Sequence, residues 1–285
     1  MLDGTIPSEI SLLTMLQSLD LHTNRLTGTL SSTLSALTRL SDFRVFGNSL
    51  SSIIPSELSA LTLIEYLDMS SNHFRGHISS SFKYLVYLKL FDISKNFLSG
   101  NPFFFMELST LVSVNISQNL FSDTTGWDDD PLPNPNLLYL DLSHCYLRGR
   151  IPNTISKFSP NILSFVISSN CLDVSLPKDL CNLNSLQTLV MNKLGSECSD
   201  TNIRANLFSQ SYATIPECYF SMHQLTILQL MSNKLYGTIS DKKNSLISLN
   251  LIGNLLTGKT FLRGNFGLIV MHQFNNIYSI CPYNK

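Results

Sequence analysis

The chain has 285 residues, of which 44% are hydrophobic, and this is enough to bury a large core. Its 19 basic and 20 acidic residues give a formal net charge of -1, so no overall field would attract nucleic acid or an anionic membrane surface. No stretch reaches the roughly 18 apolar residues that a membrane-spanning helix needs. Composition therefore argues against nucleic acid as a partner and against a membrane segment in this chain.

A short unit recurs along the chain from its first residues onward. Its frame reads L-x-x-L-x-L-x-x-N-x-L, as in Leu16, Leu19, Leu21, Asn24 and Leu26. A structural ladder is predicted at the asparagine place of successive frames, comprising Asn24, Asn48, Asn72, Asn96, Asn119, Cys145, Asn170, Asn233 and Asn254. Leu194 occupies this place in the frame before Asn233. The register predicts about ten repeats of ~24 residues, a period that is typical of solenoids.

Each frame predicts a strand, then a turn, then a short helix. The apolar first, fourth and sixth places alternate with polar ones, which is the period of a half-buried strand. One repeat cannot bury its own apolar side, so stacked copies should pair as a parallel sheet. The asparagine amide can donate to and accept from unpaired backbone groups of adjacent coils. Prolines such as Pro55 and Pro216 mark where short helices begin.

These features predict an α/β solenoid. Its parallel sheet should form the concave face, and short helices, 3-10 turns or loops should form the convex face.

Two interruptions and one terminal region depart from the period. Residues 122–136 hold the only tryptophan, Trp127, with three consecutive acids and three prolines. A solvated connector is the favoured interpretation, because adjacent acids lack the alternating spacing of a calcium-binding loop. Residues 195–214 predict a loop with at most a short helix, projecting from the array. The frame ends after Asn254, so we assign residues 1–258 to the solenoid and residues 259–285 to either a C-terminal cap or an irregular tail.

Short runs at matching places of the frames point to a known family. They include residues 67–72 (LDMSSN) and Gly-x-Ile-Pro endings such as residues 149–152 (GRIP). In these runs the chain resembles plant-type leucine-rich repeat proteins over roughly residues 1–258. The resemblance implies the solenoid fold and a recognition role like that of receptor-like proteins and receptor kinase ectodomains. Since the family also includes inhibitors of secreted enzymes and adhesive surface proteins, fold by itself does not select an activity.

Five of the six cysteines fall into two groups. Cys145 occupies an asparagine place, where this family also uses cysteine, so we expect a buried structural thiol, and Cys171 to be similar. Cys181, Cys198 and Cys218 surround the second interruption. In an oxidising compartment two of these three should form a disulfide, with Cys198 as the favoured member. The alternative is three unpaired thiols in a cytosolic protein.

The places between the buried leucines should line up as columns on the concave face, with neighbouring strands about 4.8 Å apart. Asp68 and Asp92 then become direct neighbours in the fifth-place column. Their repulsion, roughly 1 kcal/mol in water and a few kcal/mol at lower dielectric, would be relieved by a cationic partner. Arg44 is expected to serve Asp20 or Asp68, which leaves Asp92 the least compensated.

Aromatic residues beside these acids complete the candidate surface, since aromatic anchors flanked by charge are typical of interaction hot spots. The candidate binding residues are Asp20, Arg44, Phe46, Tyr66, Asp68, Asp92, Tyr139 and Asp141. The alternative interpretation is a solvated acidic strip that needs no ligand.

The sequence predicts no catalytic or metal site. His73 and His77 have the spacing of a metalloprotease motif, but Phe74 stands where that motif needs Glu, and Gly76 argues against a helix. We find no glycine-rich phosphate loop and no strand-to-helix elbow carrying a nucleophile. We therefore predict no enzyme activity, no cofactor and no bound metal.

These observations favour a non-enzymatic recognition module that binds a protein or peptide through its concave face. It is expected to be part of the extracellular region of a receptor-like or secreted protein. The alternatives are a secreted inhibitor of cell-wall-degrading enzymes, an intracellular scaffold, and a structural or adhesive surface protein.

The start of the chain suggests a slice of a longer array. The chain enters the pattern at Gly4, in the middle of a repeat. We expect further repeats, a polar cap and a secretion signal ahead of it. The expected location is extracellular or at the cell surface, with the cytoplasm as the alternative, and no oligomeric state follows from the residues.

Overall fold

The computed structural model describes residues 1–125, 127, 133–195, 213–239 and 245–257, together with the backbone of residues 268–270. The strands in chain order are β1 Asp3–Thr5, β2 Ser18–Asp20, β3 Arg25–Thr27, β4 Asp42–Arg44, β5 Ser51–Ser52, β6 Tyr66–Asp68, β7 His73–His77, β8 Leu90–Asp92, β9 Phe97–Gly100, β10 Ser113–Asn115, β11 Leu120–Phe121, β12 Tyr139–Asp141, β13 Arg148–Gly149, β14 Ser164–Val166, β15 Cys171–Leu172, β16 Thr188–Val190, β17 Ile227–Gln229, β18 Tyr236–Gly237, β19 Ser248–Asn250, β20 Leu255–Leu256 and β21 Leu268–Val270.

One parallel sheet of 11 strands runs through the molecule, and we call it the main sheet. Its order is β2-β4-β6-β8-β10-β12-β14-β16-β17-β19-β21. The first ten of these strands coincide with the ten predicted frames, and the fourth-place residue at the centre of each is buried. The eleventh strand, β21, continues the parallel pairing from β19. The predicted solenoid with a parallel sheet is confirmed, because each repeat presents its apolar places to its neighbours rather than to water.

A second set of short strands, which the sequence did not reveal, follows most of the turns out of the main sheet. The largest is a 4-stranded sheet in the order β11-β9-β7-β5. Glycine is required here for two reasons: the backbone has a positive φ, and there is no room for a side chain. Gly100 has a φ of +81°, and a Cβ at this position would come within 2.8 Å of the His77 ring. The glycines that precede several of the convex segments therefore allow adjacent coils to approach closely.

Short helices form the convex side, as predicted. The 3-10 helices are Ser8–Leu12, Ser32–Ala36, Ser56–Ala60, Ser80–Tyr84, Phe103–Glu107, Lys178–Asn182 and Glu217–Ser221, and the α-helix is Ile155–Phe158. Pro55 and Pro216 are the N-cap residues of their helices, in keeping with the fixed φ and missing donor of proline. Within the ranges described, none of these helices has the length and apolarity of a membrane span.

The first interruption is anchored in the core. Trp127 is only 2% exposed and stacks on Phe103, with ring centroids 4.9 Å apart. Asn134 is fully buried, and its Nδ2 donates to the carbonyl oxygens of Leu108 and Leu111 at 3.0 and 3.1 Å. The solvated-connector interpretation is therefore wrong for these two residues. The three consecutive acids, residues 128–130, lie outside the described residues.

The second interruption leaves the main sheet intact. Strands β16 and β17 are direct neighbours, with Thr188 paired to Ile227, although the segment between them is longer than in other repeats. Residues 196–212 lie outside the described part, so the predicted loop within residues 195–214 is described only at its two ends.

The cysteine predictions are correct in part. A disulfide joins Cys181 to Cys218, with their Cα atoms 5.9 Å apart, and it links two neighbouring convex helices across the second interruption. The bond does not involve Cys198, whose predicted place in a disulfide lies outside the described residues. Cys171 is disulfide-bonded rather than a thiol like Cys145. Cys145 is free and fully buried as expected, and burial raises the pKa of its thiol to about 12.

Candidate binding site on the concave sheet

The asparagine ladder positions the strand ends of the main sheet. Asn72 is representative: its Oδ1 accepts from the Leu50 N–H at 3.0 Å, and its Nδ2 donates to the Val45 carbonyl at 2.9 Å. Equivalent bonds from one coil to the next are made by Asn24, Asn48, Asn96, Asn119, Asn170, Asn233 and Asn254. At Cys145 the thiol donates only weak bonds, to Ile116 O at 3.5 Å and to Ser143 O at 3.6 Å. The ladder thus satisfies backbone groups that the turn would otherwise bury unpaired.

The residue before each ladder position turns the chain by adopting a left-handed conformation. Most of these residues are not glycine, as with Ser71 at φ 52° and His144 at φ 53°, whereas Gly47 and Gly253 occupy this place in two repeats. A left-handed conformation costs a non-glycine residue roughly 1–2 kcal/mol, so the surrounding bonds must hold it in place. Sequence reasoning missed this feature, because only the two glycines signal it.

The predicted columns lie side by side on the main sheet. The third-place column comprises Ser18, Asp42, Tyr66, Leu90, Ser113, Tyr139, Ser164, Thr188, Ile227 and Ser248, and the fifth-place column comprises Asp20, Arg44, Asp68, Asp92, Asn115, Asp141, Val166, Val190, Gln229 and Asn250. Each member is the direct strand neighbour of the next. The candidate residues therefore share one face, with the exception of Phe46, which lies after the end of β4.

The fifth-place carboxylates have a structural task that the sequence analysis missed. Asp68 Oδ1 accepts from the Ser70 N–H at 3.0 Å, and Asp92 and Asp141 accept in the same way from the N–H groups two residues on, each at 2.9 Å. Asn115 makes the equivalent bond to Ser117 at 3.1 Å. The D-x-S spacing is the signal that could have predicted it, since Asp and Asn commonly bond their own backbone two residues on.

The ionised form of Asp92 is nevertheless disfavoured. It is half-buried, and burial raises the pKa of its carboxyl, with the neighbouring Asp68 charge adding to the rise. Hydrogen bonds from Ser94 and from Asn115 Nδ2, at 3.1 Å, act in the opposite direction. Burial is therefore the main cause of the raised pKa of Asp92, and the Asp68 charge is a smaller one.

Arg44 is bonded mainly to an acid on its own strand. Its Nε donates to Asp42 on its own strand at 2.8 Å, and its guanidinium lies 5.7 Å from the centre of the Tyr66 ring. Its charge also helps to lower the pKa of Asp20, one of the two acids that it was predicted to serve, whereas among the described residues it forms no salt bridge with Asp68. The cation therefore contributes to the surface beside Tyr66 and leaves the Asp68–Asp92 pair without it.

Asp20 and Phe46 form a separate cluster around His22. The His22 Nδ1 lies 2.5 Å from Asp20 Oδ1, and its ring stacks on Phe46 with centroids 4.6 Å apart. The hydrogen bond with His22 lowers the pKa of the Asp20 carboxyl. Asp20 and Phe46 thus both contact His22 at the N-terminal end of the main sheet. Asp20 lies on β2, two strands from Asp68 on β6.

Two exposed tyrosines bracket the acidic pair. Tyr66 on β6 is 36% exposed, and Tyr139 on β12 is 47% exposed. Three strand spacings of about 4.8 Å separate β6 from β12, so the rings lie roughly 14 Å apart along the column. Asp68 lies on the same strand as Tyr66, Asp92 lies on the next strand toward Tyr139, and Asp141 lies on the same strand as Tyr139. This arrangement offers two aromatic anchors around a negatively charged centre.

Comparison with known proteins identifies the repeat and its structural relatives. The Leucine Rich Repeat family model matches residues 15–37, 63–85 and 136–158. No curated protein matches the chain by sequence. Among solved structures, a TDR receptor matches 89% of this chain with a TM-score of 0.75 and 26% identity. The ectodomain of the Arabidopsis receptor kinase HAESA, solved in complex with an IDA peptide hormone ligand, matches 89% with a TM-score of 0.73 and 27% identity.

Further matches set the scope of this likeness. The PEPR1–AtPEP1 structure covers 90% of this chain with a TM-score of 0.70 and 25% identity. The chain spans 42%, 40% and 37% of the lengths of the TDR, HAESA and PEPR1 chains. A plant ice-binding protein also has the fold, with a TM-score of 0.54 and 22% identity. At that identity the likeness concerns the fold alone.

Proposed function

The chain is a leucine-rich repeat protein with the fold of plant receptor ectodomains, and we propose that it is a non-enzymatic recognition module whose concave face binds a peptide or a protein segment. The structural neighbours that support this include a TDR receptor and the HAESA ectodomain, the latter in complex with a peptide hormone ligand. In this proposal the bound segment carries a basic side chain, which lies against Asp68 and Asp92 between the rings of Tyr66 and Tyr139.

The observation that carries the proposal is the Asp68–Asp92 pair. The two carboxylates are neighbours on adjacent strands, and the one cation of the column, Arg44, is bonded to Asp42 instead. A Lys or Arg of a ligand would reduce the repulsion between the two carboxylates and offset the cost of burying the Asp92 charge. Partial burial makes such a charge pair stronger than one in open solvent. Tyr66 and Tyr139 would supply apolar contact with little loss of side-chain freedom.

We place the protein outside the cytosol. The Cys181–Cys218 disulfide supports this, because such bonds form and persist in oxidising compartments. The ectodomain relatives point in the same direction. The alternatives of an enzyme inhibitor and an adhesive protein share this location, and they differ in the partner that the concave face would select.

A peptide selection with matched variants tests the proposal. The purified chain is used as bait for a phage-displayed library of random peptides, and the selected pool is then measured against Asp68→Asn/Asp92→Asn. Asparagine keeps the Oδ1 acceptor for the Ser70 and Ser94 N–H groups, as Asn115 does in the same column, so the double variant removes charge without removing those bonds. We expect a pool enriched in Lys and Arg whose binding to the double variant is about tenfold weaker, a loss of ~1.4 kcal/mol.

Asp123→Asn is the control. Asp123 accepts from the Thr125 N–H at 2.8 Å, which is the same local bond, but it lies off the main sheet. Binding to the control should equal that of the parent chain, and the difference between parent and double variant should shrink at high salt. A pool without excess basic residues, or one that binds the double variant as tightly as the parent, would contradict the proposal.

A further inference from the structure

A cavity of about 220 Å³ opens beside the main sheet, where the chain turns out of it. Its walls come from three consecutive repeats, at the ladder positions Asn96, Asn119 and Cys145 and the residues on either side of them. This volume is below the ~300–1,000 Å³ of typical small-molecule sites, and it suits a single inserted side chain. We call the cavity and its surroundings the lateral face.

The mouth of the cavity is apolar and open to solvent. Phe97 is 53% exposed and Leu120 is 43% exposed, and both line the cavity together with Tyr146. The His73 ring lies 6.0 Å from the Phe97 ring and extends the aromatic surface. Single exposed apolar residues are ordinary, whereas apolar side chains grouped around a cavity are typical of interaction sites.

The rim of the lateral face is basic. Arg75 is the strand neighbour of Phe97, Lys95 precedes Phe97 by two residues, and Arg148 follows Tyr146 by two residues; all three are exposed. Across the described part of the chain, none of these cations has an acidic partner at salt-bridge distance. The positive charge of this rim is therefore available to a partner.

Acidic residues are scarce along the same segments. Residues 73–77, 95–100, 118–123 and 144–150 contain a single acid, Asp123. Its Oδ1 accepts from both the N–H and the Oγ1 of Thr125, at 2.8 and 2.6 Å. The lateral face thus has the opposite polarity to the Asp68–Asp92 pair of the concave face, and it would attract a different ligand.

We propose that the lateral face is a second docking surface, for an extended acidic segment of a partner protein that inserts one aromatic or aliphatic side chain between Phe97, Leu120 and Tyr146. Carboxylates on either side of the inserted residue meet Arg75, Lys95 and Arg148. The buried apolar residue supplies the anchor, and the charges set orientation and select against basic segments.

The test uses the whole chain and a phage-displayed library of random peptides as the probe. Two variants address the surface: Phe97→Ala/Leu120→Ala removes the apolar mouth, and Arg75→Glu/Lys95→Glu reverses the rim. Because these side chains are exposed, both variants should fold, which urea unfolding verifies. Tyr87→Ala is the control, since Tyr87 is 54% exposed, much like Phe97, but lies ahead of strand β8 rather than after a main-sheet strand.

Beside the Lys- and Arg-rich peptides that the concave face selects, we expect a second group of peptides rich in Asp and Glu with an aromatic or aliphatic residue among them. Its binding should fall about tenfold or more with each of the two variants and remain unchanged with Tyr87→Ala. It should also be unchanged with Asp68→Asn/Asp92→Asn, which separates this surface from the concave one. Because each surface has its own variants, the proposal for one surface can be refuted without refuting the other.

Three results would overturn the proposal. The first is a selection in which no pool depends on Phe97 and Leu120. The second is a dependent pool without acidic excess. The third is self-association of the parent chain in sedimentation velocity that Phe97→Ala/Leu120→Ala abolishes, because a second copy of the chain would then cover this face.

Discussion

Removing one member of the asparagine ladder tests the reasoning about what holds adjacent coils together. Asn72 is 4% exposed, and its Oδ1 is the acceptor for the buried Leu50 N–H. Asn72→Ala leaves this N–H without that acceptor, at a cost of about 1–3 kcal/mol, and removes a net ~1 kcal/mol from the bond to the Val45 carbonyl. The Val45 carbonyl still accepts from Asn48 Nδ2 at 3.0 Å, so it adds no large desolvation penalty. We expect the free energy of unfolding to fall by about 2–4 kcal/mol.

Urea unfolding followed by far-UV circular dichroism measures this loss through the linear dependence of the free energy on urea. Since repeats can unfold separately, the midpoint and slope of the first transition are compared between variants. Asn72→Cys copies the residue that the chain itself uses at Cys145, and we expect an intermediate loss, because a thiol is a weak donor and acceptor. The control is Asn184→Ala at an exposed position, which should stay within ~0.5 kcal/mol of the parent. If Asn72→Ala cost no more than this control, the ladder would not be a source of stability.

Three further predictions concern other parts of the chain. Replacing Cys181 and Cys218 by Ser opens a bond between residues 37 positions apart and should cost about 4 kcal/mol on the loop-entropy model, measured by urea unfolding. A reductant added to the parent should cost at least as much, because it also opens the disulfide of Cys171, and no loss from the double variant would refute the prediction. The raised pKa of Asp92 means that its carboxyl binds a proton more tightly in the folded chain than in the unfolded one. Its contribution to stability is therefore full below the ordinary carboxyl pKa of 3.8 and is lost as pH rises through the folded pKa. Asp92→Asn should remove that part of the pH dependence, and an unchanged stability profile between the parent and the variant would show the reasoning to be wrong. The Cys145 thiol, buried and with a pKa of about 12, should resist iodoacetamide at pH 8 in the native chain and react after unfolding, as peptide mapping by mass spectrometry would show; rapid native labelling would contradict this.

The period of the sequence was sufficient to predict which residues meet on the main sheet. Tyr66 pairs with Leu90 and Asp68 with Asp92 because each repeat advances the chain by one strand in a constant register. The side-chain alternation of a strand then decides which residues share a face. The strand neighbours of Asp92 therefore followed from counting alone.

Contacts that depend on side-chain reach did not follow from the period. Arg44 could extend toward several acids, and only the folded sheet shows that Asp42 on the same strand is its partner. The choice of Cys218 for Cys181 depends on how two convex helices approach each other, which no spacing in the sequence encodes. Trp127 likewise lies in the core, where its ring stacks on the ring of Phe103.

The sequence by itself determined the repeat, the parallel sheet, its register and the columns of the concave face, because a strict period forces identical units to bury identical places against each other. The tertiary structure decided the partner of each long side chain, the disulfide, the left-handed turns before the ladder residues and the lateral face around Phe97 and Leu120. These features depend on distances between residues of different repeats, and such distances exist only once the coils are stacked.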